Sequence, residues 1–75
     1  MQKKPIRKLT SRMRDVLLRL IGGESIWPGN STKAPRIGHG DHWFFLDRRL
    51  LSRLLRDGYV SRAYTITEAG RKAAT

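Results

Sequence analysis

The stretch LDRRLLSRLLRDGYVSRAYTITEAGRKAA, residues 46–74, decides the fold. Leu50, Leu51, Leu54 and Leu55 recur at the spacing of one helical face, while Arg48, Arg49, Ser52, Arg53 and Arg56 fall on the opposite one. One face can build a core and the other can meet phosphate. Asp47 is suited to cap this helix, since its carboxylate can accept from unpaired N–H groups of the first turn, and Leu46 before it can pack on Leu51. Gly58 supplies a left-handed residue past the end and lets Tyr59 fold back toward Leu54. These signals predict a helix over residues 48–57. Beyond it, Tyr59 and Val60, then Tyr64 and Ile66, are β-prone and are separated by Ser61, Arg62 and Ala63. That spacing predicts a tight hairpin with Arg62 at its tip, after which Thr67 and Glu68 open a short last helix ending near Ala74.

Toward the N-terminus, HWFF at residues 42–45 is aromatic enough for a strand or an extended lead into the helix. Residues 24–41, ESIWPGNSTKAPRIGHGD, hold Pro28, Gly29, Pro35, Gly38 and Gly40, and this density of breakers predicts an irregular loop. So long a loop is unusual in a compact domain, so the segment either serves a function or hides a short strand at residues 25–27 or a helical turn at 31–34. Upstream, Thr10 is a fitting N-cap for a helix over Ser11–Ile21, with Met13, Val16, Leu17, Leu20 and Ile21 as its apolar stripe and Gly22 and Gly23 as its stop. Residues 1–9 read as a basic arm, and residues 10–75 as a single small domain with a thin core.

Sixteen Lys and Arg against six Asp and Glu leave a formal charge of +10 on 75 residues. A field of that size attracts polyanions, so nucleic acid is the expected partner. Eleven of the cations are Arg, whose planar fork can grip phosphate or a guanine edge in a bidentate way. Between Arg48 and Arg56 no acid interrupts the basic face, whereas a merely solvated helix surface mixes both signs. The chain has no Cys, which excludes a disulfide framework and suits a reducing compartment. Its apolar runs fall well short of the ~20 residues that span a bilayer, and a cytoplasmic, membrane-free protein is expected.

The run Leu50, Leu54, Gly58, Tyr59, Val60, followed by Tyr64, Thr65, Ile66, Thr67, Gly70 and Arg71, resembles the winged helix-turn-helix superfamily, in particular small bacterial and phage-type regulators and the MarR-like group. The resemblance implies an α+β fold in which helices pack with a short β-hairpin wing. It implies a small transcriptional regulator or mobile-element accessory protein in a bacterial or phage-infected cell, bound to double-stranded DNA. Residues 48–57 would be the recognition helix and the Arg62 hairpin the wing. Arg48, Arg49, Ser52 and Arg53 would then reach base edges and nearby phosphates, while Arg56, Arg62, Lys33 and Arg36 would hold phosphates alone. The helix that precedes a recognition helix has no counterpart in the Pro- and Gly-rich residues 28–41, and the wing is short. A homodimer would follow the habit of the superfamily, although neither end of the chain offers a long coiled coil.

Two other partners suit the same residues: RNA, which shares the charge argument, and an acidic protein surface on which such a fold could dock as a subunit or inhibitor. Catalysis is not expected. His39, Asp41 and His42 lack the spacing and the fourth ligand of a closed zinc site, so no metal or other cofactor is expected. No residue pattern makes a nucleophile elbow or a phosphate loop. Trp27, Trp43, Phe44 and Phe45 could form a base-stacking platform beside Arg36, but in so small a domain the expectation is that they fill the core.

Overall fold

The computed structural model describes residues 9–75, so the expected basic arm lies outside the described residues apart from Leu9. The elements in chain order are α1 (Ser11–Ile21), β1 (Ser25–Trp27), β2 (Arg36–His39), β3 (His42–Phe45), α2 (Arg48–Arg56) and α3 (Glu68–Ala74). Together they make a small α+β fold whose three strands form one antiparallel sheet in the order β1-β2-β3.

Each helix begins where a side chain can take up a backbone donor. Thr10 accepts from the Met13 N–H, Asp47 from the Arg49 N–H and Thr67 from the Gly70 N–H. Both longer helices stop by the same device. In α1 the Gly23 and Glu24 N–H groups return to Leu20 and Arg19, and in α2 those of Gly58 and Tyr59 return to Leu55 and Leu54. The reversal needs a positive φ at the first residue past the cap, found at 106° for Gly23 and 80° for Gly58. The α1 boundaries, the caps Thr10 and Asp47 and the strand at residues 42–45 agree with the sequence expectation.

Residues 24–41 do not form one irregular loop. They contain β1 and β2, which pair through Ser25 with Gly38, Ile26 with Ile37 and Trp27 with Arg36. Pro28 and Pro35 sit just outside the paired residues, where a missing N–H costs no ladder bond. Gly40 opens the two-residue connection between β2 and β3 with a φ of 56°, at the loop position where a two-residue hairpin favours glycine. The breakers therefore punctuate short strands. The remaining connection is closed on itself: the Asn30 side chain accepts from the Thr32 and Lys33 N–H groups, and the Asn30 N–H donates to the Lys33 carbonyl at 3.0 Å.

Three further expectations are corrected. The residue expected to end α2, Asp57, is its cap, and the last helix starts one residue after Thr67. The hairpin after α2 is reduced to a single antiparallel bridge between Val60 and Ile66. The Thr67 N–H to the Tyr59 carbonyl and the Ser61 N–H to the Thr65 carbonyl make that bridge, and past it the Thr67 hydroxyl donates to the Gly58 carbonyl at 2.6 Å and accepts the Gly70 N–H as α3 begins. In agreement with the Pro- and Gly-rich character of residues 28–41, α2 is entered from β3, and among the described residues no helix stands between the sheet and α2. The helix-turn-helix pair is thus not formed by consecutive helices.

One apolar cluster joins all the layers. Met13, Val16, Leu17 and Leu20 of α1 meet Ile26 and Ile37 of the sheet, Leu46, Leu51 and Leu54 around α2, and Val60 and Ala74 near α3. Strand alternation and register put Ile26, Ile37 and Phe44 on the inner face, and Trp27, Arg36, Trp43 and Phe45 on the outer one. Against expectation, the aromatics do not fill the core: Trp27 is 38% exposed, Trp43 37%, Phe44 51% and Phe45 73%. Aliphatic side chains suffice for so thin an interior, which leaves the large rings to the surface.

Candidate nucleic-acid interface

Arg48, Arg49, Ser52, Arg53 and Arg56 line one open concavity along α2. They are brought together by the opposite requirement, since burial of Leu51 and Leu54 turns the basic side of the helix outward. A second concavity, around Thr10, Ser11, Arg12, Asp47, Arg49, Leu50 and Arg53, adds Arg12 from the first turn of α1 to this group. No local sequence pattern places Arg12 beside Arg49 and Arg53. Only the packing of α1 on α2 does so.

The members of the row are not equivalent. Arg49, Ser52 and Arg56 are exposed, whereas Arg53 is half-buried. The Arg53 Nε is shielded from solvent and has no hydrogen-bond acceptor among the described residues. Such a donor calls for an explanation in a native fold, because leaving it unpaired is costly. Arg48 has a different task from the one expected of it. Its guanidinium donates to the backbone carbonyls of Asn30 and Lys33, both at 3.1 Å, and so ties the loop between β1 and β2 to the start of α2. It is a positioning residue for that loop. Replacing Arg48 by Ala should accelerate amide exchange at Asn30 and Lys33 by several-fold while costing no more than ~1–2 kcal/mol in stability, because these charge-assisted bonds are solvent-exposed. Unchanged exchange rates in the variant would contradict this role.

Lys33 and Arg36, expected as phosphate contacts beside α2, lie on the outer face of the sheet. There they line a cleft of about 310 Å³ together with Trp27 and Trp43. Lys33 links the two regions, since its carbonyl accepts from Arg48 while the residue lines the aromatic cleft. Arg62 is exposed at the tip of the Val60–Ile66 turn and lines none of these three concavities.

Three of the acids are committed to particular partners. Asp15 and Glu24 both pair with Arg19, at 3.4 and 3.2 Å, and Asp47 is committed to its cap. The hydrogen bond that Arg19 donates to Glu24, then that to Asp15, raises the pKa of Arg19 further, so it remains cationic at any working pH. Its guanidinium carbon lies 5.0 Å from the centre of the Phe44 ring, a cation–π contact that occupies the inner-face aromatic. His39 and His42 face each other in the register at the closed end of the β2–β3 hairpin. Among the described residues no group of three or more His, Asp or Glu could hold a metal ion, and no helix is long and apolar enough to cross a membrane.

Comparison of the chain with family models, with curated proteins and with solved structures finds no match.

Proposed function

We propose that this protein binds nucleic acid through α2, with double-stranded DNA as the ligand and Arg49, Ser52, Arg53 and Arg56 as the contacting side chains. The observation that carries this reading is the uninterrupted basic row on one face of a helix whose other face is locked in the core. Arg12 extends the row across to α1. An incoming phosphate or guanine edge would supply the acceptor that the Arg53 Nε lacks, after a rotation of its side chain.

In this reading α2 serves as the recognition helix of a winged-helix-like regulator or mobile-element accessory protein, and Arg62 as the tip of a wing cut down to one turn. The order of α1, α2, bridge and α3 supports that comparison. The sheet preceding α2 departs from it, and groove docking would have to be steadied by the sheet and its loop in place of a preceding helix.

Selection from a randomised duplex pool at near-physiological salt tests the reading. An enriched motif is expected, and it should disappear in the Arg49→Ala, Arg53→Ala double variant together with at least ~10-fold of affinity. The dependence of log K on log salt should become shallower by ~0.9 for each phosphate that the variant no longer neutralises. Preserved enrichment and affinity in the double variant would overturn the assignment to α2. Stoichiometric capture of an acidic protein, with only sequence-blind DNA binding, would overturn DNA recognition as the function.

A further inference from the structure

From the outer face of the sheet we infer a second, separate binding site, which takes an unpaired base of single-stranded nucleic acid between Trp27 and Trp43. The site is built by strand register. Trp27 stands opposite Arg36, and Trp43 opposite Gly38. On this face β2 therefore presents only one side chain, that of Arg36, between the two indoles. Gly38 has to be glycine, because a Cβ there would collide with the His42 carbonyl and the Trp43 backbone of the neighbouring strand. Lys33 closes the cleft from the loop that Arg48 holds in place.

Three observations select the occupant. The Trp43 indole N–H already donates to the Gly40 carbonyl at 2.8 Å, so the ring is held in one place and what it offers a ligand is its π face. In a duplex the faces of the bases are hidden in the stack, and only edges and phosphates are presented; a face is offered by an unpaired base. Lys33 and Arg36 beside the rings match the phosphates that flank such a base, and the cleft lies at the lower end of the ~300–1,000 Å³ usual for small-molecule sites, enough for one stacked unit. A second copy of this chain is the poorer occupant, since it would bring another +10 charge against Lys33 and Arg36. The inference goes beyond the contacts of α2 with duplex DNA and does not depend on them. If both hold, the ligand is a duplex with a single-stranded extension, because Lys33 joins the two surfaces.

Trp27 and Trp43 are the chain's only two tryptophans, so its intrinsic fluorescence reports directly on the site. Titration of the full chain with a short oligothymidylate at ~0.1 M salt should quench that fluorescence saturably, while a blunt duplex of equal charge should quench it little. Trp43→Leu and Trp27→Leu should each weaken oligothymidylate binding by about 5- to 100-fold, read by anisotropy of the labelled strand, and leave duplex affinity within about twofold. Circular dichroism melting checks that the variants remain folded, and the titration of the unaltered protein needs no variant. Absent quenching, equal quenching by the blunt duplex, or unchanged binding in both folded variants would each overturn the inference. So would quenching by phosphatidylserine vesicles but not by oligothymidylate, or sedimentation of a dimer that the Trp43→Leu change dissolves. Lost quenching with intact duplex binding removes this site alone, and quenching without duplex binding removes the α2 reading alone.

Discussion

Leu54→Ala is expected to lower the melting temperature by at least ~10 °C and to leave the domain close to half-unfolded under mild denaturant. Leu54 has no solvent exposure and sits where α2 meets the rest of the core. Its carbonyl also accepts from the Tyr59 and Val60 N–H groups at 3.0 and 3.3 Å, so its main chain holds the turn that leads to the Val60–Ile66 bridge. Truncating a buried Leu costs ~2–5 kcal/mol through lost transfer energy and the cavity left behind. A domain of this size has only about 3–10 kcal/mol in total, and each kcal/mol shifts its midpoint by ~4–8 °C. The comparison residue is Leu18, which is on the same helix as Leu17 but 46% exposed, and its truncation should be nearly silent. Thermal melts of the two variants decide the matter. Equal small shifts would mean that the cluster around Leu54 does not carry the fold.

Gly70→Ala should destabilise by roughly 1–3 kcal/mol, although helix propensity alone predicts a gain of nearly 1 kcal/mol for the same change. Gly70 lies in α3 with helical backbone, so no special dihedral angle requires glycine there. What requires it is proximity. A Cβ at this position would press on the Tyr59 carbonyl, and Ile66 Cγ1 would be 2.9 Å away. That carbonyl is not able to move aside without cost, because it accepts the Thr67 N–H at 3.0 Å and so belongs to the junction that starts α3. The sign of the change in melting temperature is the test: a rise would show that α3 floats over the turn and does not press against it.

Local chemistry made the helices legible. A cap side chain, an apolar stripe and a glycine stop act within a few residues of one another, so Thr10 with Gly23 and Asp47 with Gly58 mark α1 and α2 in the sequence as they do in space. Within residues 24–41, β1 was legible only as one alternative, a short strand at residues 25–27, and β2 was not legible, for the converse reason. Three- and four-residue strands carry too little alternation to register as a pattern, and their stability comes from partners elsewhere in the chain, Ile26 on Ile37 and Ile37 on Phe44. The lack of a helix directly ahead of α2 was legible, because Pro and Gly leave residues 28–41 only short extended pieces.

The charge of the chain and the basic face of α2 are properties of sequence alone, since helical periodicity separates Arg49, Ser52 and Arg56 from Leu51 and Leu54 whatever surrounds them. Three matters were left to tertiary structure. Packing of α1 on α2 set Arg12 beside Arg49 and Arg53, and loop closure diverted Arg48 to the carbonyls of Asn30 and Lys33. Sheet register put both tryptophans on the outer face with Arg36. An aromatic ring is apolar enough for a core and flat enough for a ligand, so its composition does not say which it will serve. The side of the sheet that the helices cover makes that choice, and it depends on contacts far apart in the chain.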